Sequence, residues 1–458
     1  MQDNKKLYSL KKKISIITLS VIAFFILIFT ITLCVRVYTL SNPKAEELSK
    51  LDEARFENIC TTKYHQEIIS PLYWDSPSKD LTIGAESSIM INIDNGDILF
   101  EKNADEIIPP ASMTKLVVMY VVFQEIASGK ISMDDIVPLP PESWAKNAPL
   151  HSSLMFLDQG QTVTLHELLL GLAVSSGNDA AIAIAHYVSG SVDDFVARMN
   201  KEIKDLGLTK THFVEPSGYD EHNITTAREF ATFARTYVTR YPQALTDFHS
   251  VKSFTYPKQN NLASWHKNDG NNHSITQYNT NKALGVIEGV NGLKTGFIYE
   301  SGYNISITAE RNGTKLLTVS LRGPGSNSTE GNMWRIKDAQ TMLESAFSSI
   351  RTVSHPKLSP LTHPVIKGKE SAVIVREAWV EPFTIPYNKE ASSQPELTRE
   401  IHITPVSAPL EIGEKIGTET YKAGNMVIAE IPLVSDRKIE TANLFIQMID
   451  SIAVKLVK

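Results

Sequence analysis

The stretch "ISIITLSVIAFFILIFTITLCV", Ile14 to Val35, carries no charge and follows the basic segment "KKLYSLKKK". A helix needs about 20 apolar residues to cross a bilayer. Such a run has few ways to be satisfied inside a water-soluble fold. Lysines before it and few basic residues after it put the N-terminus in the cytoplasm and export the body of the chain. No Ala-x-Ala site closes the run, so it reads as an uncleaved signal anchor rather than a removed signal peptide. A lipid attachment at Cys34 is the weaker option, because bulky Leu33 stands where a small residue is expected. The remainder of the 458 residues, in a chain 42% hydrophobic, is enough for two folded domains. A net charge of −6 offers no electrostatic case for nucleic acid. With two cysteines, Cys34 in the apolar run and Cys60, no disulfide framework is expected.

The pattern after the anchor divides the chain. Residues 1–40 are cytoplasmic tail and anchor, and 41–80 are a polar stalk or linker containing a short helix. Residues 81–355 form the main domain. "SSIMINIDNGDILFEKN" alternates apolar and polar residues on both sides of Asn95-Gly96, which favours a hairpin with a type I′ turn. A second hairpin is expected around Asn312-Gly313. The segment from about 257 to 280, rich in Asn, His and Ser, reads as loop, and "MWRIKDAQTMLESAFSSI" reads as an amphipathic helix closing the domain. Short alternating strands in 360–437 make a small β domain. Residues 438–458 make an amphipathic helix with Leu444, Phe445, Met448, Ile449, Ile452 and Leu456 on one stripe.

Chemistry is suggested at three places. "PPASMTKLVVMYVVFQEI" starts as a turn and continues as an apolar helix, with Ser112 and Lys115 one turn apart and so on one face. A desolvated lysine with a lowered pKa can take the proton of a nearby serine nucleophile. The same pair serves equally as a helix N-cap with a solvated lysine. Ser176-Gly177-Asn178 interrupts an apolar helical pattern and strands its side chains between two helices. There Ser176 can relay a proton between Lys115 and a leaving amine and Asn178 can bond a substrate amide, or both can simply cap the second helix. Lys294-Thr295-Gly296 lies on an apolar, strand-like segment. It offers a cation, a hydroxyl and an unobstructed backbone to a docking anionic substrate, or is an exposed strand lysine.

Together and in this order, the three triplets resemble the serine D-alanyl-D-alanine carboxypeptidases, the low-molecular-mass penicillin-binding proteins. "IDNGDILFEKNADEIIPPASMTK", "HSSLMFLDQGQTVTLHELLLGLAVSSGNDAAIAIA" and "VNGLKTGFIYESGYN" match the family's framing, and "ITPVSAPLEIGEKIGT" resembles the entry to its C-terminal β domain. The likeness runs from about residue 82 to the end. It implies an α/β (α+β) catalytic domain like that of serine β-lactamases and DD-peptidases and a small C-terminal all-β domain, to which the apolar run Ile14 to Val35 adds an N-terminal transmembrane helix. It also implies Ser112 as nucleophile, Lys115 as its general base and Ser176 as a third catalytic group. Asn178, Lys294, Thr295, Gly296 and Phe297 would bind substrate, with the N–H groups of Ser112 and Phe297 as oxyanion hole. Two positions depart from the family: Ile298 stands where Thr is usual and Asn291 where an acidic residue is common. Both bear on how a substrate carboxylate is bound.

The activity implied is removal of the terminal D-alanine from peptidoglycan stem pentapeptides, with β-lactams as covalent inhibitors. Neither a cofactor nor a metal is expected. His166-Glu167 lacks the second histidine of a zinc His-Glu-x-x-His motif, and no Gly-x-Ser-x-Gly elbow occurs. DD-endopeptidase, transpeptidase or β-lactamase activity would use the same groups, although Ser-Gly-Asn replaces the Ser-Asp-Asn of class A β-lactamases. A wall-binding scaffold without turnover is the alternative of another class. The implied location is the cytoplasmic membrane, single-pass, with the catalytic domain outside; the apolar stripe of the C-terminal helix either lies in the membrane interface or packs on the β domain.

Overall fold

The computed structural model describes residues 2–64, 68–356, 358–359, 361–388 and 396–457. The uncharged N-terminal run forms helix α1 (Gln2–Ser41), with Ile14, Ile17, Phe24, Phe25 and Leu27 facing outward rather than into a protein core. A helix this long and apolar matches a bilayer crossing. Cys34 and Cys60 are both free thiols.

The chain divides into two compact units: residues 1–66, 355–381 and 396–458, and residues 67–354 with 382–395. In the first, six strands pair in the order Leu397–Ile403, Lys415–Ala423, Met426–Ser435, Ala372–Glu377, Leu361–Ile366, Val406–Ser407. The core is small and aliphatic: Val365, Val373, Val375, Leu410, Leu433 and Ile439. Part of the expected linker is instead an element of this unit. Helix α2 (Lys50–Tyr64) buries Phe56 and Cys60 against Ala378 and Val434, and Glu53 pairs with Arg376. The terminal helix, Leu444–Ala453, is capped by the Asn443 side chain and is shorter than its apolar stripe. Ile449 and Ala453 are buried, whereas Leu444, Met448 and Leu456 are exposed.

The second unit is built on a six-stranded sheet of β1 (Ser70–Pro71), β2 (Ser87–Asn92), β3 (Asp97–Lys102), β6 (Val290–Ile298), β7 (Gly302–Arg311) and β8 (Thr314–Gly323). Strands β4 (Ser253–Tyr256) and β5 (Ile275–Tyr278) pair separately from this sheet. The order is β1-β3-β2-β8-β7-β6, so β6 is an edge, open on one side. Every pairing is antiparallel except the short β1–β3 contact.

The helical part is α3 (Lys115–Ala127), α4 (Leu165–Leu170), α5 (Asn178–Ser189), α6 (Val192–Asp205) and α7 (Ala227–Arg240), with α8 (Ser328–Ser349) packed on β7 and β8. Helix α3 is apolar nearly all round and buried from Lys115 to Phe123, as a helix at the centre of a core must be.

The two hairpins behave differently. Asn312 and Gly313 both have positive φ, 50° and 77°, between the paired residues Arg311 and Thr314, as a two-residue type I′ turn requires. At Asn95-Gly96 only the glycine has positive φ, and its N–H reaches back to the Asn92 carbonyl, so the turn is longer and not type I′. The reason is side-chain chemistry: the Asn95 amide donates to Asp97 Oδ2 (2.6 Å), the Pro382 carbonyl (3.1 Å) and Thr384 Oγ1 (3.0 Å). Pro382 and Thr384 come from residues 382–388, expected in the β domain. They join this unit because Phe383–Pro386 pairs with β9 (Ile350–Val353).

Candidate active site

Two adjacent prolines, Pro109 and Pro110, cannot donate backbone hydrogen bonds and bring the chain to α3 through a tight turn. Asn304 on β7 holds this turn, its amide donating to the Pro109 carbonyl at 2.8 Å. Ala111 then adopts φ 51°, a left-handed conformation uncommon for a residue with a side chain. Residues Ala111–Thr114 wind as a 3₁₀ turn before the α-helix proper, which leaves Ser112 half-buried at the helix mouth.

Lys115 is fully buried. Its Nζ lies 2.9 Å from Ser112 Oγ, 2.8 Å from Asn178 Oδ1 and 2.5 Å from the Ser217 carbonyl oxygen. Two of these partners only accept. Ser112 alone has a proton to give. Burial pulls the Lys115 pKa from its ordinary 10.5 to about 7, with Glu215 and Asp179 partly opposing the fall. A neutral amine here donates its two hydrogens to Asn178 and Ser217 and turns its lone pair to the serine.

Helix α4 runs into a wide turn over Gly171–Ser175 and breaks at Ser176, which has φ 61°. The interruption read from the sequence is therefore real. Ser176 is buried, and its hydroxyl has no hydrogen-bond partner among the described residues. Asn178 opens α5 with its carbonyl oxygen committed to Lys115, so holding the amine precedes any contact with substrate. Behind it, the Asp179 carboxylate accepts from the N–H groups of Met155 (2.8 Å), Phe156 (2.8 Å), Leu157 (3.0 Å) and Ala180 (3.0 Å), fastening the segment before Gly160 to α5.

The third triplet lies on the open edge strand β6. Lys294 is buried and donates to the Thr295 carbonyl at 3.1 Å. Burial, reinforced by Lys115 and Arg335, holds its pKa well below the ordinary lysine range. Thr295 Oγ1 donates to Thr280 Oγ1 at 2.8 Å. Gly296 passes directly beside the turn that carries Ser112. The Phe297 ring, partly exposed, stacks on Tyr303 with centroids 4.5 Å apart. Asn291 accepts from Thr308 Oγ1 at 2.7 Å, so the position that departs from the family holds the neighbouring strand. Ser112, Lys115, Asn178 and Gly296 are thus drawn around one point, with Ser176 and Lys294 buried in the elements that flank it.

The family model for the D-alanyl-D-alanine carboxypeptidase matches residues 75–325, more than half of the chain. The chain belongs to this family. A second model, for the C-terminal domain of penicillin-binding protein 5, matches residues 355–441. The chain is 30% identical over 371 residues to the D-alanyl-D-alanine carboxypeptidase DacF of Bacillus subtilis, covering 80% of this chain and 88% of that one. It is 31% identical over 394 residues to DacC of Escherichia coli, covering 83% and 90%. Penicillin-binding protein 5 from Haemophilus influenzae superposes with a TM-score of 0.67 at 28% identity, covering 79% of this chain and 99% of that one. The carboxypeptidase is thus a serine peptidase with the fold expected from its motifs.

Several residues that shape the site carry no mark in the sequence reading. Glu215 organises the turn that aims the Ser217 carbonyl at Lys115, accepting from the N–H groups of Ser217 (2.7 Å), Gly218 (2.5 Å) and Tyr219 (2.9 Å). "EPSG" is a visible turn signal, but nothing local ties it to Lys115. Arg335 on α8 donates to the Gly296 carbonyl and, at 3.0 Å, to that of Asn304. Burial lowers its pKa to about 10.

Proposed function

We propose that the carboxypeptidase removes the terminal D-alanine of peptidoglycan stem pentapeptides through an acyl-enzyme on Ser112. The observation that carries this is the Lys115 amine, desolvated and held by two acceptors with Ser112 as the remaining partner. Lys115 takes the Ser112 proton as Oγ attacks the penultimate D-alanine carbonyl. The N–H groups of Ser112 and Phe297 receive the developing oxyanion. The C–N bond breaks, and the proton passes to the departing D-alanine nitrogen, with the unpartnered hydroxyl of Ser176 as relay. Water then adds to the ester, losing its proton to Lys115, and frees Ser112.

Lys294 suits the substrate's terminal carboxylate. A lysine kept below its usual pKa by burial regains its charge when an anion enters beside it. Thr295 adds a hydroxyl, and the open edge of β6 accepts the peptide as a further strand. A β-lactam carries the same carboxylate and a reactive amide, so it acylates Ser112 and leaves slowly. Incubation with a lysine- or diaminopimelate-type pentapeptide tests the reading. D-alanine release by the wild type and none by Ser112→Ala supports it, whereas equal release by both contradicts it.

We also propose that the catalytic unit works outside the cytoplasmic membrane, with α1 spanning it. The last turns of α1 are fastened within their own unit: Arg36 forms a bidentate pair with buried Asp450 (2.6 and 2.5 Å), and Phe29 meets Phe445 edge-on. The exposed Leu444, Met448 and Leu456 beside this pair suit the lipid interface. Protease added to intact spheroplasts should digest the protein; protection until the cells are lysed contradicts this orientation.

A further inference from the structure

Strands β4 and β5 pair from Ser253 with Tyr278 to Tyr256 with Ile275, leaving residues 257–274 as one long connection. Connections of this length without structure of their own are usually functional or disordered. This one converges on a single carboxylate. Asp269 Oδ2 lies 2.9 Å from His266 Nδ1 and 2.7 Å from His273 Nε2, and the two imidazole rings are 4.4 Å apart. The other Asp269 oxygen accepts from the Asn271 N–H at 2.9 Å, which fixes the carboxylate's orientation.

We propose that His266, Asp269 and His273 bind a zinc ion. Two imidazoles and one carboxylate are a donor set zinc favours, with a water completing a tetrahedron. Tetrahedral bonds of about 2.0–2.1 Å place ligand atoms about 3.3 Å apart, so the cluster opens by roughly half an ångström to admit the ion. All three side chains reach solvent, so the ion has an entry path.

A second cluster, His355, Glu377 and Glu419, also gathers three donors. There the Arg399 guanidinium already lies 3.4 Å from Glu419 Oε1, and a cation would meet its charge.

The zinc site joins a wall of the cleft. Trp265 packs over Gly160, Gln277 donates to the Leu154 carbonyl at 2.8 Å, and Thr280 past β5 receives the Thr295 hydroxyl. Zinc would close the connection into a short ring and so order that wall.

The test uses the full chain in detergent, untagged and stripped of metal with a chelator. Zinc is titrated against a chromogenic chelator, and tryptic cleavage after exposed Lys267 is timed with and without zinc. One zinc per chain is expected, with cleavage slowed. The triple variant His266→Ala, Asp269→Asn, His273→Ala should lose affinity by a factor on the order of 10² or more and lose the protection. Ser112 labelling by penicillin in metal-free buffer should match the wild type, showing that the variant is folded. No zinc on the wild type, or equal zinc and protection in the triple variant, overturns the proposal.

Discussion

Gly296 and Pro110 approach so closely that a Cβ on the glycine would lie 2.4 Å from the proline carbonyl oxygen and 3.1 Å from the Ser112 nitrogen. The edge strand and the Ser112 turn are thus in backbone contact, with no room for a side chain between them. Gly218 presses on the same turn from another direction: with φ +79°, its Cβ would fall 1.9 Å from the Ala111 carbonyl oxygen. Gly296→Ala must therefore push β6 away from Ser112. Displacements of about 1 Å at a reacting group cost on the order of 10²-fold in rate. Penicillin acylation should fall by at least that factor while the protein stays folded, as measured by labelling rate and by circular dichroism.

Lys115 supplies a pH dependence. With its pKa at about 7, the neutral form that accepts the serine proton is lost as pH falls through that value. Acylation kcat/KM should drop about tenfold per pH unit on the acid side and level off above. The check is stopped-flow acylation across the range; a profile that is flat through neutrality would remove Lys115 as the base.

His249 should govern acid stability. It is fully buried with Tyr237 Oη at 2.9 Å from Nε2, and burial holds its pKa down to about 3 from 6.5, with Lys294 adding to the effect. Between those values the unfolded chain binds a proton that the folded one refuses, so stability rises with pH across this window and is lost as pH falls through it. At about 1.4 kcal/mol per unit, the loss reaches several kcal/mol. Urea midpoints should fall between pH 6.5 and 4 in the wild type and fall less steeply in His249→Asn.

Asp179 is expected to matter for stability as much as for the site. Asp179→Ala strands the N–H groups of Met155, Phe156, Leu157 and Ala180. Each unsatisfied donor costs about 1–3 kcal/mol, less where water enters. Hydrogen exchange should accelerate at residues 155–157 and acylation should slow, because the same helix start carries Asn178. Unchanged exchange there would show that the carboxylate is not what holds the segment.

The structural setting of the three triplets was legible because each is short and its context local: a Pro-Pro turn before an apolar helix, a break between two helices, a glycine on a strand. What escaped was non-local. Nothing near Glu215 or Arg335 in the chain shows that one aims a carbonyl at Lys115 and the other holds the backbone at Gly296. Asn95-Gly96 was misread for the same reason, since the amide that reshapes the turn bonds Thr384, far along the chain. Helix α2 looked like linker because only Phe56 and Cys60 among its polar residues find a core.

The central claim is that Lys115 activates Ser112 as the acylated nucleophile. The most direct measurement is mass-spectrometric mapping of the penicillin adduct on the full-length protein and its Ser112→Ala and Lys115→Ala variants. The adduct should sit on the peptide containing Ser112, vanish in Ser112→Ala, and form on the order of 10²–10⁴ times more slowly in Lys115→Ala. An adduct on any other residue, or one that persists in Ser112→Ala, would contradict the account.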